Sequence, residues 1–121
     1  MLKYRCDILV VGTGPAGSSA AQKAAESGKK VLLIDRKHVV GEPVRCAEFI
    51  PKQLLGVLEC SREFIVQSVK NMKSYLPDGS FTETPSPGLI IDRNVFDQIL
   101  ASKAVEAGAE IWTGGADWTV P

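Results

Sequence analysis

The sequence predicts an α/β fold, with a parallel sheet built on a βαβ unit and a small antiparallel β-hairpin as an insertion. Two short apolar runs, residues 7–11 and 31–34, have the hydrophobic pattern of strands buried on both faces of a parallel sheet. Alanines at helical spacing separate them, so the first 35 residues give strand, helix and strand in that order. A Pro-Asp-Gly-Ser sequence between two later β-like runs predicts the hairpin.

The first predicted helix covers residues 15–27 and follows directly on a glycine-rich loop. Its alanines recur at helical spacing, Pro15 suits the first turn and Gly28 suits the end of a helix. A helix made of such small residues can lie close to a sheet. The second strand then ends in Asp35.

The middle of the chain is less regular. Glycines and prolines interrupt residues 38–63, which predicts a long, functional connection with one short helix at residues 52–58. Residues 66–76 and 81–84 are the predicted strands of the hairpin, and residues 89–91 are a candidate third strand.

A second helix and a third parallel strand complete the prediction. Asp92 or Asn94 can cap the helix, apolar residues repeat on one of its faces, and Gly108 ends it. Residues 109–113 then form the strand, and residues 1–121 are interpreted as one Rossmann-like domain.

Composition and charge argue against several classes of protein. Lys and Arg (14) balance Asp and Glu (14), so the chain lacks the basic footprint of a nucleic-acid-binding protein. No apolar run reaches the roughly 7–15 residues of a secretory signal or the about 20 of a membrane span, which predicts a cytoplasmic protein. Three cysteines without C-x-x-C spacing predict reduced thiols, with neither a disulfide framework nor a zinc site.

The glycine-rich loop carries the strongest functional signal. Gly12 permits a tight turn, Gly14 lets the backbone approach a pyrophosphate, and Gly17 lets helix and strand pack closely. The helix that begins at Pro15 would direct its unpaired N–H groups at that pyrophosphate. Asp35 follows at close to the spacing of about 20 residues at which a carboxylate binds the ribose. The competing interpretations are a flexible turn and a solvated strand end.

The wider pattern favours a dinucleotide site over those alternatives. A complete G-x-G-x-x-G-x-x-x-A-x-x-x-A-x-x-G-x-x-V-x-x-x-D pattern is present, at Gly12, Gly14, Gly17, Ala21, Ala25, Gly28, Val31 and Asp35. With Pro15 and Ala16 completing Gly-Pro-Ala-Gly, it resembles the FAD site of the flavoprotein class that includes aromatic hydroxylases and prenyl reductases. NAD dehydrogenases are the weaker match.

Two further segments resemble the geranylgeranyl reductase family within that class. Residues 41–51 contain Arg45-Cys46-Ala47-Glu48, which is similar to the family's Arg-Cys-Gly/Ala-Glu core. Asp92-Arg93 with Phe96-Asp97 resembles its arginine-plus-helix segment. Asp35 stands where Glu is commoner, and Ala47 where Gly is.

The resemblance implies an FAD enzyme that reduces isolated carbon–carbon double bonds in isoprenoid chains. The substrate would be lipophilic, the electron donor either a reduced nicotinamide or a ferredoxin-like protein, and peripheral membrane association plausible for the complete enzyme. The flavoprotein class needs a later Gly-Asp segment and a substrate domain that do not fit in 121 residues. The chain is therefore interpreted as the amino-terminal part of a longer flavoprotein.

The resemblance also implies which residues contact the cofactor. Cys46 and Ala47 would lie against the flavin, although Cys46 could instead be a small buried hydrophobe. Arg93 would lie near the ribityl and phosphate groups. No catalytic residue and no metal ligand is assigned.

Three more residues are candidate cofactor contacts, and two of them have an alternative interpretation. Arg45 could pair with an anion on the flavin side or with Glu48 or Glu42 on the surface. Arg36 could follow the adenine edge or be surface charge. The backbone near Asp117 could line the adenine.

Two other functions stay open at the sequence level. An FAD-dependent monooxygenase of the aromatic hydroxylase type would share the nucleotide fold but activate oxygen. A non-catalytic nucleotide-binding fragment would keep the βαβ unit without the chemistry.

Overall fold

A computed structural model describes residues 3–115, in which contacts group the chain into two compact units, each with its own three-stranded sheet. One unit comprises the residues up to Val44 and those from Arg93 onward, and the other is Arg45–Asp92. The elements in chain order are β1 (Ile8–Val11), α1 (Pro15–Glu26), β2 (Val31–Asp35), β3 (Phe49–Pro51), β4 (Ile65–Tyr75), β5 (Phe81–Ile91), α2 (Arg93–Glu106) and β6 (Glu110–Thr113).

The first unit contains the predicted parallel sheet, in the order β1-β2-β6. Ile8 of β1 lies opposite Val31 of β2, and Leu32 of β2 lies opposite Glu110 of β6. The α/β prediction, with its βαβ unit, is therefore confirmed.

Small side chains let the helices of this unit pack closely on the sheet. Its core is a cluster of four alanines and two strand residues: Ala21, Ala25, Val31, Leu33, Ala104 and Ala109. Alanine places little bulk between a helix axis and its neighbour, so α1 can contact both α2 and the strands. The alanine pattern is thus explained by packing.

The connections place both helix amino termini at one edge of this sheet. α1 follows the carboxyl end of β1 after a three-residue loop, and α2 leads into β6 through a turn in which Ala109 N donates to Ala104 O (2.9 Å). A helix that joins parallel strands runs antiparallel to them. The starts of α1 and α2 therefore lie at the edge where β1, β2 and β6 end.

The second unit is an antiparallel sheet in the order β3-β5-β4. β4 and β5 form the predicted hairpin, and its turn is closed by Leu76 N donating to Ser80 O (2.8 Å). Two local predictions were wrong: residues 81–84 and 89–91 belong to one strand, β5, and residues 49–51 form β3 within the predicted irregular connection. The short helix predicted at residues 52–58 is present as a 3₁₀ helix at Lys52–Gly56.

A β-bulge explains how β5 continues through Pro85 and Pro87. Between two paired positions, β5 advances three residues, from Pro85 to Gly88, while β4 advances two, from Asn71 to Val69. β3 pairs with β5 only at Gly88 and the next two residues, so neither proline must donate to β3. Within residues 3–115, neither helix is long and apolar enough to cross a membrane.

Candidate cofactor-binding site

The glycine-rich loop joins β1 to α1 in the conformation that the sequence predicts. Gly14 is the N-cap of α1 and Pro15 lies in its first turn. Gly12 has φ +105°, a backbone conformation that L side chains rarely adopt. Its N–H donates to Ile34 O (2.7 Å), which fixes the loop to β2.

Gly17 and Gly14 meet different surroundings. A Cβ on Gly17 would lie 1.9 Å from the carbonyl oxygen of Gly12, so only glycine lets α1 start this close to the loop. A Cβ on Gly14 would have no heavy atom within 4 Å. Packing within the protein therefore requires glycine at position 17 but not at position 14, and the backbone at Gly14 is open to an approaching group.

The first turn of α1 presents backbone donors at this opening. Ser18 is the first residue to bond back along the chain, its N–H donating to Gly14 O (2.9 Å). The N–H groups of Ala16 and Gly17 precede it and have no carbonyl one turn back within the helix. They add to the positive end of the helix dipole, which suits an anion such as a pyrophosphate.

Asp35 is held against the same loop by Thr13. Its Oδ2 accepts hydrogen bonds from Thr13 N (2.8 Å) and Thr13 Oγ1 (2.7 Å), and its Oδ1 accepts one from Lys37 N (3.0 Å). Asp35 is half-buried and lies at the end of β2. The carboxylate and the glycine-rich loop thus form one connected arrangement.

These hydrogen bonds decide the charge of Asp35. Burial by itself raises the pKa of this carboxyl. The hydrogen bonds from the Lys37 and Thr13 N–H groups and from the Thr13 hydroxyl, together with the Lys37 charge, outweigh burial and lower the pKa below its ordinary 3.8. Asp35 is therefore an anion at neutral pH, able only to accept hydrogen bonds.

Thr13 is a site residue that the sequence analysis missed. Its side chain is buried, and its carbonyl accepts a hydrogen bond from Ser18 Oγ (3.2 Å). The available signal was a hydroxyl-bearing residue between the first two glycines of the motif, followed by a carboxylate at the end of the next strand. Strand pairing of β1 with β2 brings the two together, which composition alone does not reveal.

The two other predicted residues of the first unit are less directly placed. Arg36 is exposed and follows Asp35. Arg93 begins α2, so it lies at the same edge of the sheet as the loop. Its Nε donates to Oδ1 of the buried Asp97 (2.7 Å), which orients the guanidinium. Cofactor contact by Arg36 and Arg93 stays a prediction.

The predicted flavin contacts Arg45, Cys46 and Ala47 belong to the second unit and are all exposed. The alternative interpretation of Cys46 as a small buried hydrophobe is therefore wrong. Its Sγ accepts a hydrogen bond from Glu48 N (3.3 Å). Flavin contact by these three residues stays a prediction, and Asp117 lies outside the described residues.

Comparisons with known proteins bear directly on this site. The family described as FAD dependent oxidoreductase matches residues 7–44, which contain the loop and Asp35. A digeranylgeranylglycerophospholipid reductase from Methanothrix thermoacetophila is 42% identical over 114 residues, covering 88% of this chain. A geranylgeranyl bacteriochlorophyll reductase-like structure from Thermoplasma acidophilum matches with a TM-score of 0.80 and 36% identity over 90% of this chain. Over most of its length, the chain is therefore similar to geranylgeranyl reductases, and its amino-terminal part matches a family of FAD-dependent oxidoreductases. The resemblance seen in the sequence, and FAD as the family's cofactor, are confirmed.

The chain covers only part of the length of the proteins that it matches. The chain spans 29% of the Methanothrix reductase and 30% of the Thermoplasma protein. A complex of aklavinone-11 hydroxylase with FAD and aklavinone also matches, with a TM-score of 0.61 over 94% of this chain and 26% of that one. At 21% identity, that likeness concerns the fold alone.

The described residues fit the adenosine diphosphate half of FAD. The backbone at Gly14 is open, the start of α1 supplies N–H donors, and the Asp35 carboxylate supplies an acceptor. No basic side chain is needed at the loop, since backbone amides can hold the pyrophosphate.

Proposed function

We propose that this chain is the amino-terminal, dinucleotide-binding part of an FAD-dependent oxidoreductase that reduces carbon–carbon double bonds of isoprenoid chains. The observation that carries the proposal is the 42% identity to a digeranylgeranylglycerophospholipid reductase across 88% of the chain. That identity extends well beyond the glycine-rich loop, which many nucleotide-binding proteins share. The structural match at a TM-score of 0.80 to a reductase-like protein supports the same assignment.

The residues of this chain would bind and orient the cofactor. The N–H groups of Ala16 and Gly17 at the start of α1 would hold the pyrophosphate. Asp35 would accept a hydrogen bond from the ribose, and Arg93 would lie near the ribityl and phosphate groups. Arg36 would follow the adenine, and Arg45, Cys46 and Ala47 would lie on the flavin side. When bound, FAD supplies the hydride chemistry that these side chains lack.

The substrate and its surroundings follow from the same relatives. The name digeranylgeranylglycerophospholipid reductase describes a lipid with isoprenoid chains, so a lipophilic substrate is proposed here too. The electron donor would be a reduced nicotinamide or a ferredoxin-like protein. The proposed location is cytoplasmic, with peripheral membrane association of the complete enzyme.

An FAD-dependent monooxygenase is the second candidate, favoured only by the shared fold of the hydroxylase. The two functions differ in product. Incubation of the longest natural form of this protein with FAD, a reductant and digeranylgeranylglycerophospholipid, followed by mass spectrometry, separates them. We expect lipids that have gained hydrogen at their double bonds. A product that has gained oxygen would support the monooxygenase, and a form that stays colourless after FAD reconstitution would leave only a nucleotide-binding fragment.

A further inference from the structure

We propose that Thr13 is a positioning residue of the cofactor site, whose hydroxyl holds Asp35 so that Oδ1 is the oxygen that accepts a ribose hydroxyl. The inference rests on the proposed function and adds to it a residue outside the glycine and carboxylate positions of the motif. Its basis is the set of hydrogen bonds around the Asp35 carboxylate.

The two oxygens of Asp35 are used unequally. A carboxylate offers about four lone-pair sites, two on each oxygen. Oδ2 accepts from both the N–H and the hydroxyl of Thr13, which fills its two sites. Oδ1 accepts from Lys37 N, which fills one of its two. The remaining acceptor site is therefore on Oδ1, and a ribose hydroxyl is a donor of the right kind for it.

Thr13 is itself fixed, so it can hold another group in place. The residue is 1% exposed, and its carbonyl accepts from Ser18 Oγ in α1. Gly12, its neighbour, donates to Ile34 O and thereby ties the loop to β2 one residue before Asp35. Loop, helix and strand thus set the direction in which the Thr13 hydroxyl points, and the hydroxyl sets the rotation of the carboxylate.

Two substitutions at Thr13 separate the effect of its hydroxyl group from the effect of its shape. Thr13→Val keeps the branched shape but removes the hydroxyl donor, while Thr13→Ser keeps the donor and loses a methyl. Both substitutions leave the Lys37 backbone N–H and the Lys37 side-chain charge near Asp35. A role limited to filling space predicts that Ser is the worse replacement, whereas a role through the hydroxyl predicts that Val is.

The first readout needs no cofactor. Carbon-13 NMR titration of the Asp35 carboxyl in the 121-residue chain follows its pKa directly. We expect Thr13→Val to raise this pKa toward its ordinary value of 3.8, because a donor to the charged form is lost, and Thr13→Ser to keep it low. An unchanged pKa in Thr13→Val would overturn the proposal. If Thr13→Val does not fold, Thr13→Ala removes the same donor without added bulk.

The second readout is ADP affinity by calorimetry. We expect Thr13→Val to weaken ADP binding about threefold to tenfold, and Thr13→Ser to change it by less than about twofold. In an Asp35→Ala background, Thr13→Val should have almost no further effect, since the residue acts through Asp35. An equal loss in both backgrounds would overturn the proposal. A chain that binds no ADP at all would instead contradict the proposed function, and the NMR titration would still decide the role of Thr13.

Discussion

The Asp35 carboxylate contributes to the fold and is also a proposed cofactor contact. Its hydrogen bonds with Thr13 and Lys37 connect the end of β2 to the glycine-rich loop and favour the charged form. The same charge suits a ribose hydroxyl and would repel a 2′-phosphate. We therefore expect stability and cofactor preference to depend on the same ionised group.

Stability should depend on the ionisation of Asp35. Because the pKa of Asp35 is lower in the folded chain than its ordinary 3.8, its contribution to stability is present above that value. The contribution is lost as pH falls through the folded-state pKa. Chemical unfolding across pH 2 to 6, a range of about four units around the ordinary value, measures how much more stable the wild type is than Asp35→Asn. A stability difference between the two that does not shrink on acidification would contradict this prediction.

Alanine substitutions at Gly17 and Gly14 should differ in their effect on stability. Gly17→Ala places a methyl against the Gly12 carbonyl, a backbone atom that cannot move aside cheaply. We expect a loss of about 2 kcal/mol or more in the free energy of unfolding. Gly14→Ala is the matched control, since its methyl meets no heavy atom within 4 Å. Equal melting temperatures for the two variants would show that α1 is not packed as described.

Among the elements, β5 is where local sequence rules failed. Pro85 and Pro87 lie inside one strand because a bulge and a short partner, β3, remove the need for their missing N–H groups. Pro-containing stretches ordinarily predict a break, and only the pairing with β4 shows otherwise. By contrast, β1, α1 and β2 were predictable, since apolar runs, alanine spacing and capping residues all agreed there.

The contact between β3 and β5 gives an element-scale prediction. A Cβ on Gly88 would lie 2.2 Å from Cε2 of the Phe49 ring and 2.8 Å from the Ile50 carbonyl oxygen. Gly88→Ala should therefore destabilise the second unit by about 1–3 kcal/mol, as overpacking does. Gly56→Ala, whose methyl meets no heavy atom within 4 Å, is the control. Thermal unfolding followed by circular dichroism compares them, and a Gly88→Ala variant as stable as Gly56→Ala would contradict the described packing.

At the scale of the whole molecule, the sequence predicted the cofactor loop better than its surroundings. Gly12, Gly14, Gly17 and Asp35 follow from a spacing rule that strand and helix geometry imposes. Thr13 could not be assigned in the same way, because its role depends on which atoms of the loop and of the end of β2 face each other. The chain also spans only about three tenths of the length of the Methanothrix reductase, so the substrate is assigned here from similarity alone.

The central claim is that the open backbone at Gly14 receives the pyrophosphate of FAD. The most direct test is the FAD dissociation constant of the 121-residue chain, measured by flavin fluorescence for the wild type, Gly14→Ala and Gly56→Ala. Both methyls meet open space in the protein, so both variants should be as stable as the wild type. We expect Gly14→Ala alone to weaken FAD binding, by about tenfold for each charge-assisted hydrogen bond it displaces. Equal dissociation constants for Gly14→Ala and Gly56→Ala would contradict the account.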